Sequence, residues 1–289
     1  MDIFEEIVRF RERGVRAALA TVVQAQGSTP GAVASRMLVP EEGAGPVLGT
    51  VGGGCLDAEV LALARKTLSD EECRTFHYDL SGPEAEESGL ACGGRVTVFV
   101  ECVTLPRVVV FGAGHVGQML CRAAAMAGFR VMVLDDREAF ANRHRFPEAS
   151  EIQVRPLSGP FEDLGVNAST FLLLATRGHK HDRDILRWAA VQPAAYVGML
   201  GSGAKRKALF EELSHEGVSG EALSRVRTPM GLDIGARSPG EIALAVVAEM
   251  IAVRRKAPRQ ERAFAVNRKA EEARSIVIGL SVASRGGKT

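Results

Sequence analysis

A glycine-rich turn between a strand-like run and a helical pattern carries the strongest chemical signal in the sequence. Gly112-Ala113-Gly114-His115-Val116-Gly117 follows the apolar segment 108–111 and opens a segment with helical spacing. Gly112 permits a tight turn, Gly114 lets backbone approach a pyrophosphate, and Gly117 allows close helix packing. The helix N-terminus adds N–H donors and a partial positive charge. The pattern predicts an anion site of the dinucleotide type that includes His115; the alternative is that the glycines only shape the turn.

Two carboxylates stand where such a site usually holds an acid. The next apolar segment, 130–134, ends in Asp135-Asp136-Arg137. An acid about 20 residues after the glycine turn usually accepts a hydrogen bond from a ribose hydroxyl. Asp135 is the first candidate for that role and Asp136 the second. Arg137 is expected to neutralise the two carboxylates rather than to bind a further phosphate.

Two cysteines adjoin glycine clusters in the first third of the chain. Cys55 follows Gly52-Gly53-Gly54 and opens a helical segment whose dipole would stabilise a thiolate. Cys92 precedes Gly93 on a turn where backbone can come close to a ligand. Either thiol could instead be buried, since free cysteine is among the most buried residue types. Both interpretations of Cys55 and Cys92 stay open at this point.

Polar residues also follow two later apolar segments. His179 comes after segment 171–175, and Gly201, Ser202 and Lys205 come after segment 195–198. Carboxyl ends of parallel strands are where α/β proteins place ligands. We therefore predict ligand contact for His179 and a second anionic group near Gly201, Ser202 and Lys205. A metal held by His179 and its neighbours is less favoured because a fourth ligand is not evident.

The elements that position these residues fall into two patterns. From residue 107 onward, strand-like and helical segments alternate, which predicts a Rossmann-like parallel sheet with right-handed crossovers. Before it, short β-branched runs and one helix over 56–68 predict a smaller α+β domain. We place the domains at 1–104 and 105–253, followed by a basic tail over 254–289 with ten Lys or Arg and three Glu. The apolar helix pattern over 242–253 predicts coverage by its own domain or by a second copy of the chain.

Composition limits the class of protein. The 289 residues are 46% hydrophobic and 25% charged, and no apolar run reaches the ~18 residues of a membrane span. The first residues lack the pattern of a signal peptide, so we expect a cytoplasmic protein without membrane contact. A formal charge of +1 argues against nucleic acid as a partner. The odd number of cysteines, five, predicts reduced thiols.

Taken together, these blocks resemble the XdhC/CoxI family, whose members are accessory factors of molybdenum hydroxylases such as xanthine dehydrogenase. The resemblance runs from about residue 18 to residue 251. Gly31 and Gly203 depart from it, because arginine usually stands at both positions. The similar blocks are Gly27-Ser28-Thr29-Pro30, Gly49-Thr50-Val51-Gly52-Gly53-Gly54-Cys55-Leu56, Cys92-Gly93-Gly94, the turn from Phe111 to Gly117, Asp135-Asp136-Arg137 with Arg145-Phe146-Pro147, Thr176-Arg177-Gly178-His179, Tyr196-Val197-Gly198-Met199-Leu200-Gly201-Ser202 with Lys205, and Pro229-Met230-Gly231-Leu232-Asp233-Ile234-Gly235.

The resemblance implies a function in cofactor maturation rather than a turnover reaction. Such a protein forms a homodimer, binds molybdenum cofactor (molybdopterin), protects it while a cysteine desulfurase supports its sulfuration, and inserts it into the apo molybdenum hydroxylase. We expect Gly112, Gly114, Gly117 and Asp135 to hold the nucleotide-like end of the cofactor. Cys55 or Cys92 would face the molybdenum, across a crevice between the two domains. The alternatives are an NAD(P)-dependent oxidoreductase and a dinucleotide-sensing module.

Overall fold

The computed structural model describes residues 2–80 and 93–257, which contain two sheets. The first sheet is antiparallel, and its strands are β1 (Ala17–Gln26), β2 (Arg36–Pro40), β3 (Leu48–Gly49), β4 (Arg74–Asp79) and β5 (Arg95–Cys102). They lie in the order β3-β2-β1-β5-β4. The central strand β1 pairs Ala18 with Val39 of β2 and with Cys102 of β5.

Two helices cover opposite faces of this sheet. Helix α1 (Ile3–Arg13) is capped by the Asp2 side chain and buries Ile7 and Phe10 against Ala17, Leu19 and Leu38. Helix α2 (Gly54–Asp70) buries Leu56, Val60 and Ala64 against the other face, which carries the alternate β1 residues Ala18, Ala20 and Val22. Because successive residues of β1 point to opposite faces of the sheet, this strand packs against α1 on one face and against α2 on the other.

The second sheet contains six parallel strands. They are β6 (Arg107–Phe111), β7 (Arg130–Asp135), β8 (Glu151–Val154), β9 (Thr170–Leu174), β10 (Tyr196–Met199) and β11 (Val226–Arg227). Their order is β11-β10-β9-β6-β7-β8. The chain therefore moves outward from β6 to β8 and then returns to β9 on the other side of β6. This reversal is the topological switch point of a doubly wound fold.

Helices cover both faces of the parallel sheet. They are α3 (His115–Met126), α4 (His179–Ala189), α5 (Gly203–His215), α6 (Gly220–Ser224) and α7 (Pro239–Arg254), with a 3₁₀ turn at Glu162–Leu164. Leu120 of α3 and Val246 of α7 pack on the face of Val108 and Val110. Helices α4, α5 and α6 cover the opposite face. The predicted fold class, a Rossmann-like domain after a smaller α+β domain, is confirmed.

The α+β domain that contains the first sheet, called the first unit below, contacts the parallel sheet at the amino edge of that sheet, where its strands begin. The parallel-sheet domain is the second unit. Asn167 Nδ2 donates to the carbonyl oxygen of Gly14 at 3.2 Å, and Ser169 Oγ donates to a Glu41 carboxylate oxygen at 2.5 Å. Arg130, the first residue of β7, donates to the carbonyl oxygen of Arg11. These partners all precede or begin Rossmann strands. The two units therefore meet end to end, with the carboxyl edge of the parallel sheet turned away.

A buried ion cluster completes this junction. Glu71 follows α2, and its side chain is only 6% exposed. Its carboxylate lies 3.2 Å from Arg16 and 2.6 Å from Arg254, the last residue of α7. Arg254 also donates to the carbonyl oxygen of Ala127 at the end of α3. The C-terminal ends of α2, α3 and α7 thus converge.

Several elements lie outside the sequence predictions. They are α1, β4, β8, α6 and β11, which are short or lie at a sheet edge or at the start of the chain. Helix α7 buries Ala243, Val246 and Met250 within its own domain, whereas Leu244 and Ile251 are 56% and 39% exposed. None of the helices within 2–80 and 93–257 is long and apolar enough to cross a membrane.

Candidate functional site

The glycine turn after β6 and the loop after β9 lie side by side at the switch point, the place where doubly wound folds bind ligands; we call this place the crevice. Because β6 and β9 are neighbours, both loops leave the carboxyl edge side by side. A Cβ on Gly112 would overlap the carbonyl oxygen of Ala175, so the two loops touch there. Gly112 also has φ +112°, which favours glycine. Gly112 is therefore required by the protein's own packing.

The other two glycines of the turn differ in what surrounds them. A Cβ on Gly117 would overlap the carbonyl oxygen of Gly112, so Gly117 is also a packing requirement. Gly114 has an ordinary φ of −73°, and a Cβ there would meet nothing within 4 Å. The protein itself gives no reason for glycine at position 114. The open space above its backbone leaves room for a ligand group.

Two helices begin at this crevice without a side-chain cap. Gly114 precedes α3 and Gly178 precedes α4, and neither N-cap offers a side chain to the first-turn N–H groups. The first backbone bonds of these helices are Gln118 N–H to Gly114 O and Asp182 N–H to Gly178 O. In contrast, the Ser202 hydroxyl caps α5 by accepting from Lys205 N–H at 3.3 Å. Donors of α3 and α4 stay available to an anion.

Asp135 ends β7 and is bonded entirely within the protein. It is 1% exposed and accepts from Ala113 N–H at 2.7 Å and from Arg137 through its N–H, Nε and Nη2 at 3.0, 2.8 and 2.9 Å. Burial opposes ionisation, but the hydrogen bonds from Arg137 and Ala113 outweigh it and lower the pKa of Asp135 to about 2. Asp135 is thus a carboxylate that holds the glycine turn.

Asp136 bridges to the loop on the other side of the turn. Its two oxygens accept from Arg177 at 3.0 and 2.8 Å. Arg177 follows β9 and Asp136 follows β7. Because β6 lies between these two strands in the sheet, the ion pair crosses the carboxyl end of β6. Both side chains are partly solvated, at 44% and 28% exposure. An ion pair of this kind contributes little to stability and opens easily.

An arginine from the loop after β7 folds back onto the glycine turn. Arg145 Nη2 donates to the carbonyl oxygen of Ala113 at 3.2 Å, and Gln118 of α3 donates to the Arg145 carbonyl oxygen at 2.8 Å. The Arg145 guanidinium lies 4.7 Å from the Phe140 ring centroid, and the Arg137 guanidinium lies 3.8 Å from it. Arg145 Nε is buried without a hydrogen-bond partner.

The predicted histidines lie at the two open helix starts. His115 is the first residue of α3 and is exposed. His179 is the first residue of α4, and its Nε2 lies 3.3 Å from Glu212 of α5. Among the residues that the structure describes, no three His, Cys, Asp or Glu side chains are grouped to hold a metal ion.

Lys205 is held beside the crevice by a buried carboxylate. Its Nζ pairs with Asp182, which is 1% exposed and also accepts from Thr176 Oγ1 at 2.7 Å. A Cβ on Gly201 would lie 3.0 Å from the Lys205 side chain, so Gly201 makes room for it. Ser202 and Lys205 therefore have structural partners near the predicted second anion position.

The second predicted cluster lies in the first unit. Gly53 and Gly54 have φ +85° and +54°, whereas Gly52 packs on Pro30 and Leu56. Cys55, in the first turn of α2, is exposed, and α2 has no side-chain cap. Asp57 rigidifies the preceding turn by accepting from Thr50 Oγ1 at 2.7 Å and Val51 N–H at 3.0 Å.

Gly93 lies near this cluster, at the start of the β5 segment. It has φ +79° and donates to the carbonyl oxygen of Leu80 at 2.8 Å. A Cβ on the adjacent Gly94 would overlap the carbonyl oxygen of Ser28. Cys92 lies outside the described residues, as does the predicted basic tail beyond residue 257.

The structure does not place the two clusters across one crevice within a chain. The Gly52–Gly54 turn contacts Pro30, beyond the far end of β1, whereas the start of β1 adjoins the parallel sheet. Ten strand residues span about 30 Å. The Gly112 turn lies at the opposite, carboxyl edge of that sheet. The two units meet at the amino edge, away from the Gly112 turn, and the molybdenum-facing role of Cys55 stays a prediction.

Sequence reasoning also missed residues that shape the crevice. Arg145 and Phe140 lie within the long loop between β7 and β8, and only the fold of that loop brings them to Ala113. Arg177 follows β9 directly, and a charged residue at a strand's carboxyl end was a usable signal. Arg145 was marked only by its place in the block Arg145-Phe146-Pro147, which carries part of the family resemblance and had no role assigned to it.

Comparison with known proteins agrees with this architecture. Residues 108–250 match the model of the XdhC Rossmann domain, and residues 10–79 match the model of the XdhC and CoxI family. The chain belongs to the XdhC/CoxI family, which confirms the resemblance seen in the sequence.

Three relatives are informative. The chain is 34% identical to Escherichia coli (strain K12) YqeB over 89% of this chain and 47% of that protein. It is 34% identical to a probable xanthine dehydrogenase subunit of Bacillus subtilis (strain 168), over 52% of this chain and 44% of that protein. It is 22% identical to the Escherichia coli (strain K12) molybdenum cofactor insertion chaperone PaoD, over 83% and 84%. The chain spans about half the length of the first two.

Proposed function

We propose that this protein carries molybdenum cofactor as cargo and inserts it into an apo molybdenum hydroxylase. The phosphate or pyrophosphate end of the pterin would lie at the switch-point crevice. The observation that carries the proposal is the pair of helix starts at Gly114 and Gly178, where no side chain caps the N–H donors. The space above the Gly114 backbone is also open. The name of the relative PaoD supports molybdenum cofactor as the anionic guest.

The environment of Tyr196 favours a carrier over an NAD(P)-dependent oxidoreductase. Tyr196 is the only tyrosine in the parallel-sheet domain. It is 3% exposed, donates to Glu249 at 2.6 Å, and its pKa is raised far above the usual value by burial. Such a hydroxyl holds the Gly231 turn, whose N–H bonds the same carboxylate, and is not available as a proton donor.

Sulfuration and dimerisation belong to the same proposal. Cys55 is exposed at the end of the molecule away from the crevice, where a cysteine desulfurase has access to it. A molybdenum-facing role for Cys55 would therefore be supplied by a second copy of the chain, whose Cys55 end meets the crevice of the first. The exposed apolar side chains of α7, Leu244 and Ile251, offer a surface for such a homodimer.

Titration of the full chain with isolated molybdopterin, ADP and NAD(P) tests the cargo. We expect molybdopterin to bind most tightly and Gly114→Ala to weaken it, because a Cβ there enters the space above the turn. Preference for NAD(P), with reduction of a substrate, would identify an oxidoreductase; tight NAD(P) binding without turnover would identify a dinucleotide sensor.

Activation of an apo hydroxylase tests the thiols. Cofactor-loaded chain should activate the enzyme, and a variant carrying both Cys55→Ala and Cys92→Ala should lose that support. Cys73→Ala is the matched control, since Cys73 is also an exposed free thiol. Full activity of the double variant would refute the thiol role and leave the cargo role intact.

A further inference from the structure

We infer that the crevice recognises its ligand by phosphate charge through Arg145, and that Asp135 positions the glycine turn instead of binding ribose. This inference rests on the proposed function, because it assigns the ligand class of the same crevice. The ligand class is a phosphomonoester or diphosphate. Arg145 is thereby the residue that determines specificity.

Asp135 has no acceptor capacity left for a ribose hydroxyl. A carboxylate offers about four lone-pair directions. Ala113 N–H and three donors of Arg137 already use them, at 2.7 to 3.0 Å. At 1% exposure the carboxylate is also out of reach of a ligand. Its bond to Ala113 N–H fixes the turn so that Gly114 faces the open space.

Arg145 is a partly buried cation of this edge that lacks a counter-charge. Arg137 pairs with Asp135, Arg177 with Asp136, and Lys205 with Asp182. In the ranges described, Arg145 makes no ion pair, although it is partly buried and held on the turn by its bond to Ala113 O. A partly buried guanidinium without an anion is costly. The edge therefore carries an uncompensated, partly buried positive charge next to two open helix starts.

The unpartnered Nε of Arg145 points to the same conclusion. A buried donor without an acceptor loses the hydrogen bond it had in water. Its guanidinium is planar and suits two oxygens of one phosphate, whereas a ribose diol offers no charge to match it. The guanidinium lies 4.7 Å from the Phe140 ring centroid and bonds the turn that precedes α3, so it stands beside the start of that helix.

Calorimetric titration of the full chain with pyrophosphate, ADP and adenosine tests the inference. We expect wild type to bind pyrophosphate and ADP but not adenosine. Arg145→Met should weaken both phosphate ligands by about tenfold or more, and Arg145→Lys should recover part of the loss. Arg122→Met is the matched control, because Arg122 lies on the same helix α3 with only a solvated Glu148 partner.

Asp135→Asn separates a positioning role from ribose binding. If Asp135 only positions the turn, the variant weakens pyrophosphate and ADP by the same factor. Selective loss of ADP would show a ribose contact and overturn the inference, as would unchanged phosphate binding in a folded Arg145→Met variant. Failure of wild type to bind any phosphate ligand would instead overturn the proposed function.

Discussion

The two edges of the parallel sheet differ in whether their buried charged groups have partners. At the amino edge, Glu71 is enclosed by Arg16 and Arg254, and the first unit covers the strand starts. At the carboxyl edge, two helix starts lack caps and Arg145 lacks a counter-ion. The closed edge contributes stability and the open edge keeps donors for a ligand. Substitutions in the closed edge, or in the packed backbone of the glycine turn, should therefore change unfolding, whereas a substitution that only enters the open space above that turn should change affinity.

Glu71→Ala should give the largest loss of stability. It leaves Arg16 and Arg254, whose side chains are 19% and 14% exposed, without their shared carboxylate. We expect a decrease of about 4 kcal/mol in the free energy of unfolding. Urea denaturation measures it. Glu72→Ala, at a 71% exposed neighbour, is the control and should change stability by less than about 0.5 kcal/mol. Equal effects of both variants would contradict the closed-edge interpretation.

Gly117→Ala should be nearly as damaging. The new Cβ overlaps the carbonyl oxygen of Gly112, which belongs to backbone and cannot turn aside. We expect a loss of about 3 kcal/mol, measured by urea denaturation. A stability equal to wild type would mean that α3 does not approach the turn as closely as described.

Asp135→Asn should have an intermediate and pH-dependent effect. The folded-state pKa of about 2 lies below the ordinary 3.8, so the ionised carboxylate stabilises the fold above about pH 4. This contribution is about 2 kcal/mol at pH 7 and is lost as the pH falls from about 4 towards 2. Unfolding curves of variant and wild type should converge over that range. A gap that persists at pH 2 would contradict the assignment; Asp136→Asn, at the solvated pair, is the control.

Gly114→Ala should have the smallest effect on stability. Its φ is ordinary and nothing lies within 4 Å of the added Cβ, so unfolding should change by less than about 0.5 kcal/mol. Affinity for ADP should nevertheless fall by about tenfold, because the methyl group occupies ligand space. Calorimetry measures this. Unchanged affinity would remove Gly114 from the binding surface.

The sequence predicted elements whose information is local. The run 108–111, the glycine turn and the following helix are one continuous pattern, and α7 begins at the Ser238-Pro239-Gly240-Glu241 capping box that the structure shows. Edge strands β8 and β11 escaped prediction because only four and two residues pair there. The partner of Asp135 was also hidden, since Ala113 lies 22 residues away.

The site was predictable only in part, for a physical reason. Glycines 112, 114 and 117 form one motif in the sequence. In the structure, close packing requires Gly112 and Gly117, whereas Gly114 faces open space, and only the three-dimensional structure reveals this difference. The end-to-end junction depends on Asn167, Ser169 and Glu71, which carry no pattern of their own. Sequence alone therefore grouped Cys55 with the Gly112 turn, which lies at the carboxyl edge of the parallel sheet, away from the junction of the two units.

The separation of Cys55 from Gly114 has a consequence for the partners of the proposed function. Cys55 lies at the start of α2 and Gly114 at the start of α3, whereas the Glu71 junction gathers the C-terminal ends of both helices. A protein bound at Cys55 would leave the Gly114 turn of the same chain uncovered. Under the proposed function, a sulfur donor at Cys55 and a recipient hydroxylase at the Gly114 turn would therefore not compete for the same surface.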